Sequence, residues 1–191
     1  GQWTLTHTLA DIERELPESV RGMIQRKIDQ LEEADRQLLV AASVEGPEFN
    51  SAVLSKAMGV DPAEVEDRLE QLDRAHALVR LIGEEELPDR TLTLRYRFVH
   101  LLYQNALYGS LRPTRRASLS AAVARALEGF YGQQGHKVAS RLAFLFASAR
   151  DFPKASSYFF LAARNAAQVF AHREAVTLAR QVAEALEAVH A

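Results

Sequence analysis

Residues 61–98 read "DPAEVEDRLEQLDRAHALVRLIGEEELPDRTLTLRYRF", and the spacing of their apolar residues changes partway along. Asp61 is placed to cap a helix, Pro62 is tolerated in its first turn, and Glu64 completes a capping-box arrangement. Val65, Leu69, Leu72 and Ala75 then recur at helical spacing, which predicts one buried stripe. From residue 77 the period shortens. "ALVRLIG" and "TLTLRYRF" are β-prone runs on either side of the polar loop "EEELPDR". Leu92, Leu94, Tyr96 and Phe98 alternate with Thr93, Arg95 and Arg97, the period of a strand with one covered face.

Towards the N-terminus the pattern is helical. Pro17 can open a helix, and Val20, Ile24, Ile28 and Leu31 follow it as one apolar stripe. A second helix carries Leu38, Leu39, Ala42 and Val44 and breaks at "EGPEF", with Gly46 and Pro47. "NSAVLSKAMG" reads as a short third helix, capped by Asn50 or Ser51 and closed by Gly59. Short helix, capped second helix and two-stranded hairpin is the order of a winged helix-turn-helix. Two caps and a switch of period agree on it.

Towards the C-terminus, "YRFVHLLYQNALYGSL" (residues 96–111) begins as a strand and ends as a helix. Leu102, Ala106 and Gly109 recur at helical spacing, and His100 sits at the joint. A helix's first turn has unpaired N–H groups and the positive end of the dipole, so it attracts anions. His100 therefore either orients an anionic ligand or caps the helix.

From Pro113 onward the chain reads as all helix. Leu119, Val123 and Leu127 share a face until glycines 129, 132 and 135 interrupt it. Ala139, Leu142, Ala143 and Phe146 make the next stripe, and "ARDFPKA" turns the corner. Tyr158, Phe159, Ala162, Ala166 and Phe170 follow, then Ala175, Leu178, Val182 and Leu186. Alanines interleaved with aromatics let helices approach closely, as in stacked helical hairpins. "LAFLFASARDFPKASSYFFLAA" resembles a tetratricopeptide repeat, with Phe146, Phe152, Ala155 and Ala162 at its key positions. The next copy is too short for a standard repeat. The fold class expected is mainly α: a linker from an upstream module over 1–16, a winged-helix domain over 17–111, and tetratricopeptide-like helical repeats over 112–191.

With 191 residues, 48% apolar and 25% charged, the chain has the balance of an ordinary globular protein. No apolar run approaches the roughly 20 residues that span a bilayer, so no membrane role is expected. The start lacks a basic stretch followed by an apolar core, unlike a secretory signal, and its polar character suggests a piece of a longer protein. The absence of cysteine excludes disulfides and thiolate metal sites and fits a cytoplasmic location. The net charge of −2 hides an asymmetry. Residues 1–90 hold 20 acidic against 10 basic residues; residues 91–191 hold 5 against 13. Either the two halves attract each other or the basic half meets an acidic partner.

Catalytic signatures are missing. There is no G-x-x-x-x-G-K-[ST], no G-x-G-x-x-G and no H-E-x-x-H. The histidines at 7, 76, 100, 136, 172 and 190 are scattered without metal-ligand spacing. "RRAS", ending at Ser118, resembles a basophilic kinase site but reads as a solvated helix face. Nor is DNA a good match for the winged helix, because phosphate contacts dominate affinity. The helix from Asp61 carries Asp61, Glu64, Glu66, Asp67, Glu70 and Asp73 against Arg68 and Arg74. The wing adds Glu84, Glu85, Glu86 and Asp89 against Arg90. Both surfaces repel phosphate, which points to protein contacts. Arg112, Arg115 and Arg116 remain as the candidate basic interaction patch.

Taken together, "LPESVRGMIQRKIDQLEEADRQLLVAASVEGPEF", "YRFVHLLYQNALYGSL" and "RPTRRASLSAAVARALE" resemble the region that follows the ATPase core in STAND-type signal-transduction ATPases, among them multidomain transcriptional regulators. The resemblance implies a non-catalytic regulatory segment of a larger NTPase. Its winged helix would dock on an upstream ATPase module, and its helical repeats would bind a protein partner or inducer. No cofactor is implied for this chain itself; ADP or ATP would belong to the parent protein. "FVHLL" is similar to the Met-His-Asp motif of apoptotic and plant-immunity relatives, with Val99 in place of Met and Leu101 in place of Asp. By that likeness His100 would contact the β-phosphate of bound ADP. A DNA-binding winged-helix regulator and a free-standing helical scaffold are the alternatives.

Overall fold

The computed structural model describes residues 18–168 and 171–190. Pro17, Phe170, His7 and the rest of the 1–16 linker lie outside the described residues. Helix α1 (Glu18–Asp29) buries Ile24 and Ile28, and Leu31 is buried just past its end. Helix α2 (Glu33–Glu45) buries Leu38, Leu39, Ala42 and Val44, as the stripe requires. It stops at Gly46, whose φ of 141° suits glycine.

The segment expected only as a break contains a strand, β1 (Glu48–Asn50). Phe49 accounts for it: its ring stacks on Tyr96 at 6.1 Å and tilts against Phe98 at 5.3 Å. A three-residue strand whose partner lies far along the chain leaves no local period to read. Helix α3 (Ser51–Met58) follows and closes at left-handed Gly59. Asn50 makes no side-chain cap there. Thr93 supplies the acceptor instead, its Oγ1 taking the Ala52 N–H at 3.0 Å.

Helix α4 (Pro62–Gln71) starts as expected, with Asp61 accepting from the Ala63 N–H at 2.9 Å. The capping box is not made, because the Glu64 carboxylate takes the Arg68 Nε–H at 3.1 Å. Val65, Leu69 and Leu72 are buried, but a π-helical turn over Leu72–His76 widens the helix and turns Ala75 out to solvent.

Strands β2 (Val79–Glu86) and β3 (Leu92–Phe98) form the hairpin, and β1 joins it to give an antiparallel sheet of order β1-β3-β2. Leu81 faces Tyr96 while Gly83 faces Arg95, so Ile82 is bulged out of register. The expected alternation fails in the first half of β3. Tyr96 and Phe98 are buried, yet Leu92 is 74% exposed and Thr93 is 3% exposed. The first turn of α3 presents an N–H that needs an acceptor, and a threonine hydroxyl meets it where leucine cannot.

Helix α5 (Leu101–Gly109) leads into α6 (Pro113–Tyr131). Leu119, Val123 and Leu127 are buried, but the helix runs straight through Gly129. A Cβ at that position would lie 3.0 Å from Lys56 Nζ, which stands over the Phe130 ring at 4.3 Å. Gly129 makes room for that lysine, and the helix ends at Gly132, whose φ is 47°. A 3₁₀ segment (Gly132–Val138) precedes α7 (Ala139–Ser148), α8 (Phe152–Gln168) and α9 (His172–His190). Helix α7 packs on α8 and α8 on α9. Phe146 stacks on Tyr158 at 5.7 Å, and Phe144 meets Phe159 edge-on at 5.1 Å. Ala155, Ala162 and Ala166 are buried, as close helix approach demands. Leu178 is buried too, whereas Leu186 is 48% exposed and Ala185 takes the buried position beside it. The protein is thus mainly helical with a small three-stranded antiparallel sheet. Its apolar cluster crosses residues 111 and 112, since α3 packs on α6 and α2 packs on both α5 and α6.

Candidate functional site

His100 stands at the end of β3 in extended conformation, with φ −142° and ψ 136°. Its Nδ1 accepts the Leu102 N–H at 3.2 Å, capping α5. An accepting Nδ1 places the proton of the neutral ring on Nε2, leaving that atom as a donor. The imidazole is exposed, and Val99 and Leu101 on either side of it are 45% and 52% exposed. The corner therefore offers one hydrogen-bond donor between two apolar residues. It is a cap, and it has a free outer edge.

Helix α4 and the β2–β3 loop keep the acidic surface that their sequence predicts. Asp61, Glu64, Asp67 and Glu70 are exposed on α4, as are Glu84, Glu86 and Asp89 at the end of β2 and in the loop after it. Arg68, Arg74 and Arg90 are paired with neighbouring acids, whereas Arg80, Arg95 and Arg97 on the strands are exposed and form no salt bridge among the described residues. Arg68 donates to Asp35 at 3.0 Å and to Glu64 at 3.1 Å, and these bonds raise its pKa. Arg74 pairs with Glu70 at 2.5 Å and Arg90 with Glu86 at 2.9 Å. Tyr96 registers the same field: burial, then the charges of Glu66, Asp73 and Glu70, push its hydroxyl up to about 12.

The three arginines of the candidate basic patch have separate surroundings. Arg112 is exposed at the start of α6. Arg115 lines a shallow cavity of about 340 Å³ together with Gln25, Glu33, Arg36 and Gln37. Arg116 is half-buried, with its guanidinium 4.5 Å above the Tyr108 ring and one N–H donated to the Leu111 carbonyl at 3.4 Å. Ser118 is exposed, as a solvated helix face requires.

One pair went unread in the sequence. Glu45, the last residue of α2, accepts from Arg141 of α7 at 2.6 Å, and its side chain is wholly buried. The backbone N–H of Asn50 also donates to it, at 3.3 Å. Burial pushes the Glu45 carboxyl up to about 7, outweighing the pull of Arg141 and of the Asn50 N–H. Among the described residues this is the single salt bridge that joins the acidic first half to the basic second half. The attraction between the halves is thus one buried pair, not a broad charged seam. A glutamate closing an otherwise apolar helix end was the only local sign of it.

No group of three or more potential metal ligands occurs among the described residues, and none of their helices is long and apolar enough to cross a membrane. No family model matches the chain, and no curated protein or solved structure matches it either.

Proposed function

We propose that this chain is a non-catalytic regulatory and protein-interaction segment of a larger signalling NTPase. The element order α2-β1-α3-α4-β2-β3, with sheet order β1-β3-β2, supports a winged-helix reading of the first half. The pairwise packing of α7, α8 and α9 supports tetratricopeptide-like hairpins in the second. The observation that carries the reading is the α4 surface: acidic where a DNA reader is basic, with its one arginine, Arg68, held by Asp35 and Glu64. Such a helix serves protein contact.

In this account the winged helix docks on an upstream ATPase module. The exposed Val99–His100–Leu101 corner meets that module, and His100 Nε2 donates to the β-phosphate of its ADP. The helical hairpins receive a protein partner or an inducer. The experiment is the ADP affinity of the longer parent protein with and without residues 17–191. Weaker retention after deletion is expected; an unchanged affinity removes the docking role.

A further inference from the structure

One face of the sheet carries three arginines. Along β3, exposed Arg95 and Arg97 alternate with buried Tyr96 and Phe98, which puts both arginines on the same side. On β2, exposed Arg80 stands directly opposite Arg97. Opposite side chains start about 5 Å apart, and side chains two residues apart on a strand about 7 Å apart. The three cations therefore form one patch, open to solvent.

None of them enters a salt bridge among the described residues. The single acid in their cross-strand rows is Glu48, which faces Arg97 from β1 and is itself exposed. On the other flank Gly83 faces Arg95, and a Cβ there would meet nothing within 4 Å. Like charges directly opposite each other destabilise a sheet. Arginines in that arrangement, outnumbering the acid three to one, suit an anion that arrives from outside.

Nucleic acid is a poor match for this face. Exposed Glu84 and Glu86 at the end of β2 and Asp89 after it stand beyond the patch, where a duplex would bring further phosphates. The aromatic residues of the strands, Phe49, Tyr96 and Phe98, are all buried, so unpaired bases have nothing to stack on.

We propose that the face binds an extended acidic segment of a partner protein, with carboxylates at alternate positions. Alternate side chains of an extended segment repeat at about 7 Å, the spacing of Arg95 and Arg97. A guanidinium fork takes a carboxylate through two parallel N–H bonds. One carboxylate lies on Arg95, and the next is shared by Arg97 and Arg80. The proposal stands apart from the docking role above, since it needs neither a nucleotide nor His100.

The test is a fluorescence-anisotropy titration of the 191-residue chain at low ionic strength. Its probes are labelled peptides containing EVEVE, EEEVV or QVQVQ, and single-stranded and duplex DNA. EVEVE should saturate with Kd below about 1 mM and weaken as salt is added. EEEVV should bind at least about threefold more weakly, and QVQVQ should not saturate. Arg97→Gln should weaken EVEVE at least about threefold, and combining it with Arg80→Gln and Arg95→Gln should abolish saturation. The melting temperature should not fall, because the positions are exposed and the like-charge pair is relieved. Arg90→Gln, outside the patch, should leave binding unchanged, and Glu48→Gln should tighten it. No saturation by about 10 mM, equal binding by the triple variant, or equal binding of EEEVV overturns the proposal. Tighter binding of either DNA through the same three arginines also overturns it and assigns the face to nucleic acid.

Discussion

Glu45 and Arg141 stand 96 positions apart in the chain and 2.6 Å apart in space, and they tie the end of α2 to α7. Removing the cation leaves a wholly buried carboxyl facing no positive charge. Arg141→Met should cost about 1–3 kcal/mol at pH 8, below the range for a fully buried pair because Arg141 is partly in water. At pH 5, where Glu45 holds its proton, the cost should shrink. Urea denaturation at both pH values checks this, and an equal loss at each contradicts it.

The same carboxyl makes stability depend on pH. Its folded value of about 7 lies above the ordinary 4.5. Between the two, the folded chain keeps a proton that the unfolded chain has lost. Stability from this group is therefore lost as pH rises through that window, and the loss is complete above about 7, on the order of 3 kcal/mol in all. Glu45→Gln keeps the shape and does not titrate. Its stability relative to wild type should improve from pH 5 to about pH 7 and then level off, and a flat difference throughout would mean that burial does not hold the proton.

Thr93 is the acceptor on which the start of α3 depends. Thr93→Val keeps the shape but strands the Ala52 N–H and one partner of Ser51. A loss of about 1–3 kcal/mol is expected in thermal or urea melts. Leu92→Thr, on the neighbouring 74% exposed side chain, should shift stability by less than about 0.5 kcal/mol. The opposite ranking would return β3 to simple alternation.

Those two positions show where the sequence was legible and where it was not. The stripes Leu38–Leu39–Ala42, Val65–Leu69 and Leu142–Ala143–Phe146 are set by helical period alone, and each is buried. Caps that work through neighbouring residues, such as Asp61, were equally plain. What escaped was decided by distant partners. β1 exists because Phe49 meets Tyr96 and Phe98, Thr93 is buried because α3 lacks an acceptor, and Gly129 lies inside a helix with Lys56 close over it. The candidate site divides in the same way. His100 at the helix start was visible from its place in the chain, whereas the Glu45–Arg141 pair and the scattering of Arg112, Arg115 and Arg116 follow from packing.

Duplex DNA should bind weakly and without sequence preference, and added salt should abolish it. Residual binding should fall with Arg112→Ala and Arg115→Ala, whose side chains are exposed. Arg116→Ala should act mainly on stability, through its lost contact with Tyr108. Crosslinking that places DNA against Arg68 or the β2–β3 loop would favour a DNA-binding regulator instead.

The docking account rests most directly on His100, and two substitutions separate its roles. Asparagine is a good helix cap but lacks a donor at the place of Nε2, while alanine loses both functions. His100→Asn should leave the melting temperature of the isolated segment nearly unchanged, and His100→Ala should lower it slightly. In the longer parent protein both should speed ADP release. One hydrogen bond to a charged phosphate is worth roughly 1.5–3 kcal/mol, about ten- to a hundredfold in affinity. The decisive measurement is the ADP dissociation rate of the parent carrying His100→Asn: a rise of about tenfold or more is expected, and an unchanged rate in a properly folded variant contradicts the account.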